Sequence, residues 1–296
     1  MPLHAAPCRT LRLERRPAHG ADHLDHCRFL SGLHRILASS LHDAVLPSSI
    51  IHRFPRILPR RRISSVLGGG CMKRLLCLLA ALAVLLPRGH AAEPRCVALT
   101  FDDGPSGALT ERLLDGLAAR GVHATFFLCG YRIDLYPELA ARIAADGHET
   151  GTHGDTHSYF TSMSRAEVCR DLSEARRKLM EATGRAPTLL RPPGGLYDTA
   201  VLQQTACADL PVILWSVDPE DWRVHDADAV TAHILCHAEP GSVILMHDLT
   251  DSSVTAALRV IDALQAQGYE FLTVSELAAR SGTVLTPGQA YCSFPP

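Results

Sequence analysis

Short, largely apolar runs alternate with amphipathic stretches from residue 96 nearly to the end of the chain. Residues 97–101, 124–129 and 212–217 are runs of the kind found in strands buried on both faces. Residues 108–119 and 137–145 carry apolar side chains at helical spacing. Strands that alternate with helices predict β/α units built around a parallel sheet.

The remaining predicted elements continue this alternation. The further strands are residues 148–152, 188–190, 242–246 and 271–274, and the further helices are 164–182, 227–237, 254–267 and 275–280. About seven units in roughly 200 residues predict an α/β fold, a distorted (β/α) barrel with about seven parallel strands. An open, doubly wound sheet is the alternative.

A different kind of sequence precedes this region. Lys73-Arg74 stands before an unbroken apolar run of twelve residues, 75–86, and the small residues Gly89 and Ala91 follow. These features predict a signal peptide at residues 72–91, cleaved after Ala91, and therefore a secreted or periplasmic protein. Twelve residues are too few to cross about 30 Å of hydrocarbon, so no stable membrane anchor is expected after cleavage.

Charge divides the chain at the same place. The chain has 29 Lys and Arg residues and 31 Asp and Glu residues. Residues 1–91 hold 14 of the basic and 4 of the acidic residues, so residues 92–296 hold 15 basic and 27 acidic ones. Our hypothesis is that residues 1–71 are a non-native or disordered upstream extension; an unusually long basic leader is the alternative. Residues 92–296 form the predicted domain, with a core at about 96–280. So acidic a domain is not expected to bind nucleic acid.

Cysteine usage agrees with export. The predicted domain contains six cysteines, an even number that permits disulfides in an oxidising compartment: Cys96, Cys129, Cys169, Cys207, Cys236 and Cys292. No C-x-x-C spacing occurs in the chain, which argues against a cysteine zinc site. Neither a G-x-G-x-x-G nor a Walker loop occurs either, so no nucleotide cofactor is expected.

Polar side chains collect immediately after the predicted strands, where barrel enzymes carry their active sites. Asp102 and Asp103 end the first strand, although an Asp-Gly-Pro turn explains them equally well. His153 and His157 follow the third strand at a spacing that suits one metal ion. Two histidines and one aspartate would leave a coordination position for water.

Three later strand ends add further candidates. Arg191 follows the fourth predicted strand, and a surface arginine before a turn is the alternative. Asp218 and Asp221 follow the fifth, where they could cap a helix. His247 ends the very apolar sixth strand, either as a hydrogen-bonded core residue or as a catalytic acid.

Taken in order, these segments closely resemble the five motifs of polysaccharide deacetylases, the NodB-homology family, also called carbohydrate esterase family four. The resemblance spans about residues 96–280. The motifs are Thr-Phe-Asp-Asp-Gly-Pro at 100–105, His-x-x-x-His at 153–157, Arg-Pro-Pro-Gly at 191–194, Asp-x-x-Asp-Trp at 218–222 and Leu-Met-His at 245–247.

The resemblance implies a metal-dependent hydrolase that removes N-acetyl groups from a polysaccharide. Asp103, His153 and His157 would hold one divalent ion, zinc, with cobalt, nickel and iron as alternatives. Asp102 would be the general base, and Arg191 would hold it ionised.

The same resemblance assigns the remaining roles. His247 would protonate the leaving amine, with Asp218 as its hydrogen-bonded partner. The backbone N–H of Gly194 would stabilise the oxyanion, and Trp222 and Leu245 would line an acetyl pocket.

Two positions depart from the family pattern. Gly194 stands where the third motif often has tyrosine, which removes an aromatic wall of the sugar site. Gly154 stands where serine or threonine is common. Both departures bear on substrate preference rather than on the chemistry.

Several substrates and activities remain open at this point. N-acetylglucosamine units of peptidoglycan or of a chitin-like polymer are the expected substrate. The alternatives are O-deacetylation of an acetylated xylan, an amide hydrolase for a small metabolite, and a catalytically inactive carbohydrate-binding member of the family.

Overall fold

The computed structural model describes residues 95–296, and the predicted upstream extension and signal peptide lie outside this range. The strands are β1 (Arg95–Asp102), β2 (Thr125–Leu128), β3 (Glu149–Thr152), β4 (Val212–Ile213), β5 (Val243–His247), β6 (Tyr269–Phe271) and β7 (Ala290–Tyr291). The helices are α1 (Ala108–Arg120), α2 (Gly130–Leu135), α3 (Pro137–Ala145), α4 (Arg165–Thr183), α5 (Thr199–Thr205), α6 (Ala227–His237), α7 (Asp251–Ala266) and α8 (Val274–Arg280). Within residues 95–296, no helix has the length and apolar character needed to cross a membrane.

The strands are parallel and centre on β1. The main sheet has the order β3-β2-β1-β5, and β6 also pairs with β1, while β4 pairs with β7 in a second small sheet. Single parallel bridges continue the ring, from Thr152 to Leu190, from Leu190 to Val212 and from Val217 to Ile244. The structure is therefore the expected α/β fold with parallel strands arranged as a distorted barrel, partly closed by one-residue bridges.

The fourth predicted strand, residues 188–190, is reduced to the bridge at Leu190. Pro187 precedes it, and Pro192 and Pro193 follow it, and a proline has no N–H to donate to a ladder. The fifth predicted strand is similarly reduced, to β4 and the bridge at Val217. Of the seven predicted strands, the fourth and the fifth are therefore not full strands of the barrel.

The predicted helices are present with ends shifted by up to three residues, and α2 and α5 were not predicted. A capping box begins α4, because Ser164 accepts from the Glu167 N–H while the Glu167 side chain accepts from the Ser164 N–H. A disulfide joins Cys169 on α4 to Cys207, and Cys129 is buried directly after β2.

Successive side chains of β1 point alternately to the helix-covered face of the sheet and to the barrel interior. Val97, Leu99 and Phe101 pack in the large cluster that lies between the sheet and helices including α1 and α7. Ala98 belongs instead to a second cluster, with Phe127 and Ile213. Because successive side chains of a strand point to opposite faces, Thr100 and Asp102 share the face of Ala98. The last residue of β1 is therefore directed into the barrel.

Candidate active site

A fully buried arginine occupies the barrel interior beneath the ends of the strands. The Arg191 Nη1 donates to Asp102 Oδ1 at 2.7 Å and to Thr100 Oγ1 at 2.9 Å, so it binds two interior positions of β1. Its Nε and Nη2 donate to the carbonyls of Ile213 and Leu214 at 3.1 and 2.8 Å. Its side chain thus links β1 to the segment that begins with β4.

The guanidinium also lies over an aromatic ring. The Arg191 Cζ is 4.0 Å from the centroid of Phe127 on β2, a cation–π contact between two fully buried side chains. Asp102 is only 2% exposed, so its negative charge needs this cation close by. The alternative that Arg191 is a surface arginine before a turn is therefore wrong.

Three side chains meet just above this ion pair. Asp103 Oδ1 lies 3.1 Å from His157 Nε2 and 3.4 Å from His153 Nε2. One ligand atom from each of the three residues lies within 4.8 Å of the others. Asp102 Oδ2, the oxygen that does not bind Arg191, is 3.8 Å from His153 Nε2 and so faces the same cluster.

Local backbone geometry directs the two aspartates apart. Asp103 has a φ of 67°, in the left-handed region, and the Gly104–Pro105 peptide bond that follows is cis. Left-handed backbone is uncommon outside glycine, and Asp is among the residues that tolerate it best. The chain therefore turns sharply at the end of β1, so that Asp102 faces Arg191 and Asp103 faces the histidines.

The donor set fits a divalent transition metal. His153 Nδ1 is 2.8 Å from the Arg191 carbonyl, and this bond fixes the tautomer in which Nε2 carries the free lone pair. Two imidazole nitrogens and one carboxylate oxygen are a ligand set that zinc accepts, and they leave a position open. Asp103, His153 and His157 are accordingly the residues that could hold a metal ion.

Charge is distributed unevenly over this cluster. Burial alone would raise the pKa of Asp103, but the hydrogen bond from His157 and the nearby histidine charges lower it to about 2. Burial lowers the pKa of His153. Asp103 is therefore a carboxylate and His153 a neutral imidazole at neutral pH, the forms in which each side chain binds a metal.

His247, at the end of β5, completes the site. Its Nε2 lies 3.9 Å from Asp103 Oδ2, while its Nδ1 is 2.8 Å from Asp221 Oδ1. Burial opposes its protonation, but the hydrogen bond to Asp221 and the negative charges around it raise the pKa of His247 to about 9. The side chain thus carries a proton at neutral pH.

The prediction that Asp218 is the hydrogen-bonded partner of His247 is wrong. Asp218 accepts instead from the Glu220 N–H at 2.9 Å, within a turn where Glu220 has a φ of 53°. That turn carries Asp221 inward, where its second oxygen also accepts from the His247 N–H at 2.9 Å. Burial raises the pKa of Asp218, which lies beside this pair without bonding to His247.

The other predicted positions lie on different parts of the site. Leu245 is buried on β5, two residues before His247. Gly194 is in a short 3-10 turn that follows Arg191 and has a φ of 65°. Trp222 follows Asp221 and is 56% exposed, so its contribution to a closed acetyl pocket remains a prediction.

Asp171 on α4 was missed by the sequence analysis. Its carboxylate accepts from the Asp155 N–H at 2.7 Å, the Thr156 N–H at 3.1 Å and the Thr156 hydroxyl at 2.8 Å. These groups belong to the histidine loop, residues 153–157. Asp171 lies on the buried face of α4 with Val168 and Leu172, and a carboxylate on an apolar face was the available signal.

Asp248 was also missed. Its buried carboxylate accepts from the Thr110 hydroxyl on α1, and its backbone carbonyl accepts from the Ser106 hydroxyl. A Cβ added to Gly104 would lie 2.7 Å from Asp248 Oδ1, so only glycine fits there. Burial raises the pKa of Asp248 to about 6. Asp248 thus holds the turn that follows Asp103 against β5.

The fold and the site together define a parallel β/α protein with a buried Arg–Asp pair beneath an Asp-His-His cluster. The chain belongs to the polysaccharide deacetylase family, whose profile matches residues 89–213. It is similar to a chitooligosaccharide deacetylase of Sinorhizobium fredii, with 37% identity over 198 residues that cover 62% of this chain and 92% of that protein.

Two further comparisons are consistent with membership of this family. The peptidoglycan-N-acetylglucosamine deacetylase PgdA of Listeria monocytogenes is 38% identical over 181 residues, 61% of this chain, but the match spans only 38% of that longer protein. Among solved structures, a family 4 acetyl xylan esterase from Clostridium thermocellum, determined with a cobalt ion, superposes with a TM-score of 0.64 at 30% identity, covering 68% of this chain and 100% of that one.

Asp171→Asn tests how the histidine loop is held. The amide replaces one acceptor oxygen by an NH₂ group that faces backbone donors, so we expect zinc affinity to fall about 10-fold. Competition with a chelating dye measures this affinity. Glu174→Gln, an exposed change on the same helix, is the control. Equal zinc affinity in the Asp171→Asn variant and the wild type would contradict the positioning role.

Proposed function

We propose that this protein is an exported, metal-dependent hydrolase that removes N-acetyl groups from a polysaccharide. The observation that carries the proposal is the convergence of a three-residue cluster of possible metal ligands, a buried carboxylate and a histidine paired with Asp221. This arrangement offers a general base and a general acid on the same reaction centre.

Asp103, His153 and His157 are the proposed ligands of one divalent ion, zinc in the first instance. When bound, such an ion would polarise the acetyl carbonyl as a Lewis acid and lower the pKa of the attacking water. Mixed nitrogen and oxygen ligands do not strongly select among zinc, cobalt, nickel and iron. The cobalt ion named for the acetyl xylan esterase is consistent with that breadth.

Asp102 is the proposed general base, which takes a proton from the attacking water. Its Oδ1 is bound by Arg191 and its Oδ2 faces the ligand cluster, so one oxygen is anchored and the other is directed at the reacting atoms. Arg191 orients this carboxylate and compensates its negative charge inside the barrel through a hydrogen-bonded ion pair.

His247 is the proposed general acid. It would give its proton to the amide nitrogen as the C–N bond breaks, which releases acetate and leaves a free amine on the sugar. The pKa of about 9 keeps that proton in place before the reaction, and Asp221 orients the ring through Nδ1. The backbone N–H of Gly194 is the proposed second support of the oxyanion, and Leu245 and Trp222 are the proposed walls of the acetyl pocket.

N-acetylglucosamine units of peptidoglycan or of a chitin-like polymer are the proposed substrate, because this chain is similar to a peptidoglycan-N-acetylglucosamine deacetylase and to a chitooligosaccharide deacetylase. O-deacetylation of an acetylated xylan is the second candidate, favoured by the likeness to an acetyl xylan esterase. The proposal of export is supported by the signal peptide predicted at residues 72–91 and by the similarity to a peptidoglycan deacetylase.

Acetate release from three polymers tests the proposal. We expect the zinc-loaded protein to release acetate from peptidoglycan or N-acetylated chitooligosaccharides faster than from acetylated xylan, and a chelator to abolish release. Acetate is measured by an enzyme-coupled assay, with restoration by added zinc as the control. Faster release from xylan would favour the esterase candidate, and no release from any polymer would reject the proposed activity.

Asp102→Asn separates the jobs of the two adjacent aspartates. The amide retains the shape of the side chain but cannot accept a proton, so turnover should fall by about 10²–10⁴-fold. One equivalent of zinc should remain bound, measured by elemental analysis after dialysis. Loss of zinc from this variant would mean that Asp102 is a ligand and that the two assignments are reversed.

Asp221→Asn and Asp218→Asn form a matched pair. Asp221 bonds to the His247 ring and Asp218 does not, so the Asp221 change should lower kcat on a chitooligosaccharide by about 10²-fold, and the Asp218 change by far less. Steady-state kinetics at neutral pH measure both. A larger loss in the Asp218 variant would restore Asp218 as the partner of His247.

A further inference from the structure

Tyr159 is an unassigned aromatic residue at the edge of the site. It lies two residues after His157, and the centroids of the two rings are 6.3 Å apart. Its side chain is 50% exposed, whereas the neighbouring Phe160 is fully buried. An apolar ring held beside a proposed metal ligand and open to solvent is positioned to meet a substrate.

The ring of Tyr159 also covers Gly194. A Cβ added to Gly194 would lie 3.0 Å from Tyr159 Cε1, tighter than ordinary van der Waals contact. Gly194 has a φ of 65°, which disfavours any residue with a side chain. Tyr159 therefore occupies the space beside the position at which the third motif often carries its own tyrosine.

The backbone of Tyr159 is firmly held. Phe160 packs in the cluster that contains Val168 and Leu172 of α4, which anchors the next residue in the chain. The Ser162 N–H and hydroxyl both donate to the Tyr159 carbonyl, at 2.9 and 2.7 Å. Asp171 holds the preceding loop from the other side. The ring thus projects from a segment that is ordered before substrate arrives.

We propose that Tyr159 forms the aromatic wall of the sugar-binding site in this chain. It takes the place of the aromatic side chain that is missing at Gly194. The ligand is a pyranose ring of an N-acetylated oligosaccharide, bound through the apolar face of the sugar. This inference rests on the proposed function, because it names a contact for the substrate of that same site.

The chemistry of the ring suits this ligand. One face of a pyranose presents C–H groups, which pack on an aromatic face, while its hydroxyls stay in water or bond to polar groups. Tyrosine offers a rigid apolar face with a polar tip and loses little conformational entropy on binding. Its contact lies away from the bond that breaks, so it should stabilise bound substrate and transition state alike and act on KM more than on kcat.

The test compares three variants with the wild type on penta-N-acetylchitopentaose. Tyr159→Ala removes the ring, Tyr159→Phe retains the face without the hydroxyl, and Met180→Ala is an exposed apolar truncation on α4. Binding of the pentasaccharide to the metal-free proteins is measured by isothermal titration calorimetry, and zinc-loaded proteins are assayed for acetate release.

Tyr159→Ala should weaken binding and raise KM about 10-fold with kcat within about twofold, while Tyr159→Phe and Met180→Ala behave as the wild type. Unchanged affinity and KM in Tyr159→Ala would overturn the proposal, as would a wild-type protein that does not bind the pentasaccharide. A wild type that binds the sugar but releases no acetate would reject the deacetylase activity on this substrate, and the affinity of Tyr159→Ala would still decide the role of the ring.

Discussion

The ion pair between Arg191 and Asp102 is the interaction on which the rest of the site depends. Both side chains are buried, so each charge is tolerated only because the other is at hydrogen-bond distance. The guanidinium also donates to the carbonyls of Ile213 and Leu214 at the end of β4 and lies on a ring of β2, so one side chain joins three parts of the barrel. Removal of either partner would leave an unpaired buried charge, which in proteins costs about 3–5 kcal/mol.

The cluster above this pair follows from the same geometry. Because Arg191 holds one oxygen of Asp102 inside the barrel, the left-handed turn at Asp103 directs the next carboxylate to His153 and His157. The Arg191 carbonyl in turn bonds to His153 Nδ1, so the residue that anchors the base also orients a ligand. Asp171 and Asp248 hold the two loops that bring these residues together. The proposed base, ligands and acid are therefore parts of one connected network.

Much of this arrangement could be predicted from the sequence, because apolar runs define buried strands and polar residues at their ends meet at one edge of a parallel sheet. What the sequence did not reveal depends on local backbone geometry. Asp218 and Asp221 are three residues apart, and only the positive φ of Glu220 between them decides which one reaches His247. The length of the fourth predicted strand, residues 188–190, was overestimated. Only a bridge at Leu190 forms, because the flanking prolines have no N–H to donate to the ladder. The close approach of Tyr159 to Gly194 brings together two loops that are distant along the chain, and sequence spacing cannot indicate such an approach.

A crystal structure of the zinc-loaded protein, with anomalous data collected at the zinc edge, would show which of the two adjacent aspartates binds the ion. We expect one zinc ion bound to Asp103, His153 and His157 at about 2.0–2.2 Å. We also expect Asp102 to remain hydrogen-bonded to Arg191, with neither of its oxygens bound to the ion. An ion ligated by Asp102, with the bond to Arg191 broken, would mean that Asp102 is a ligand and not the general base.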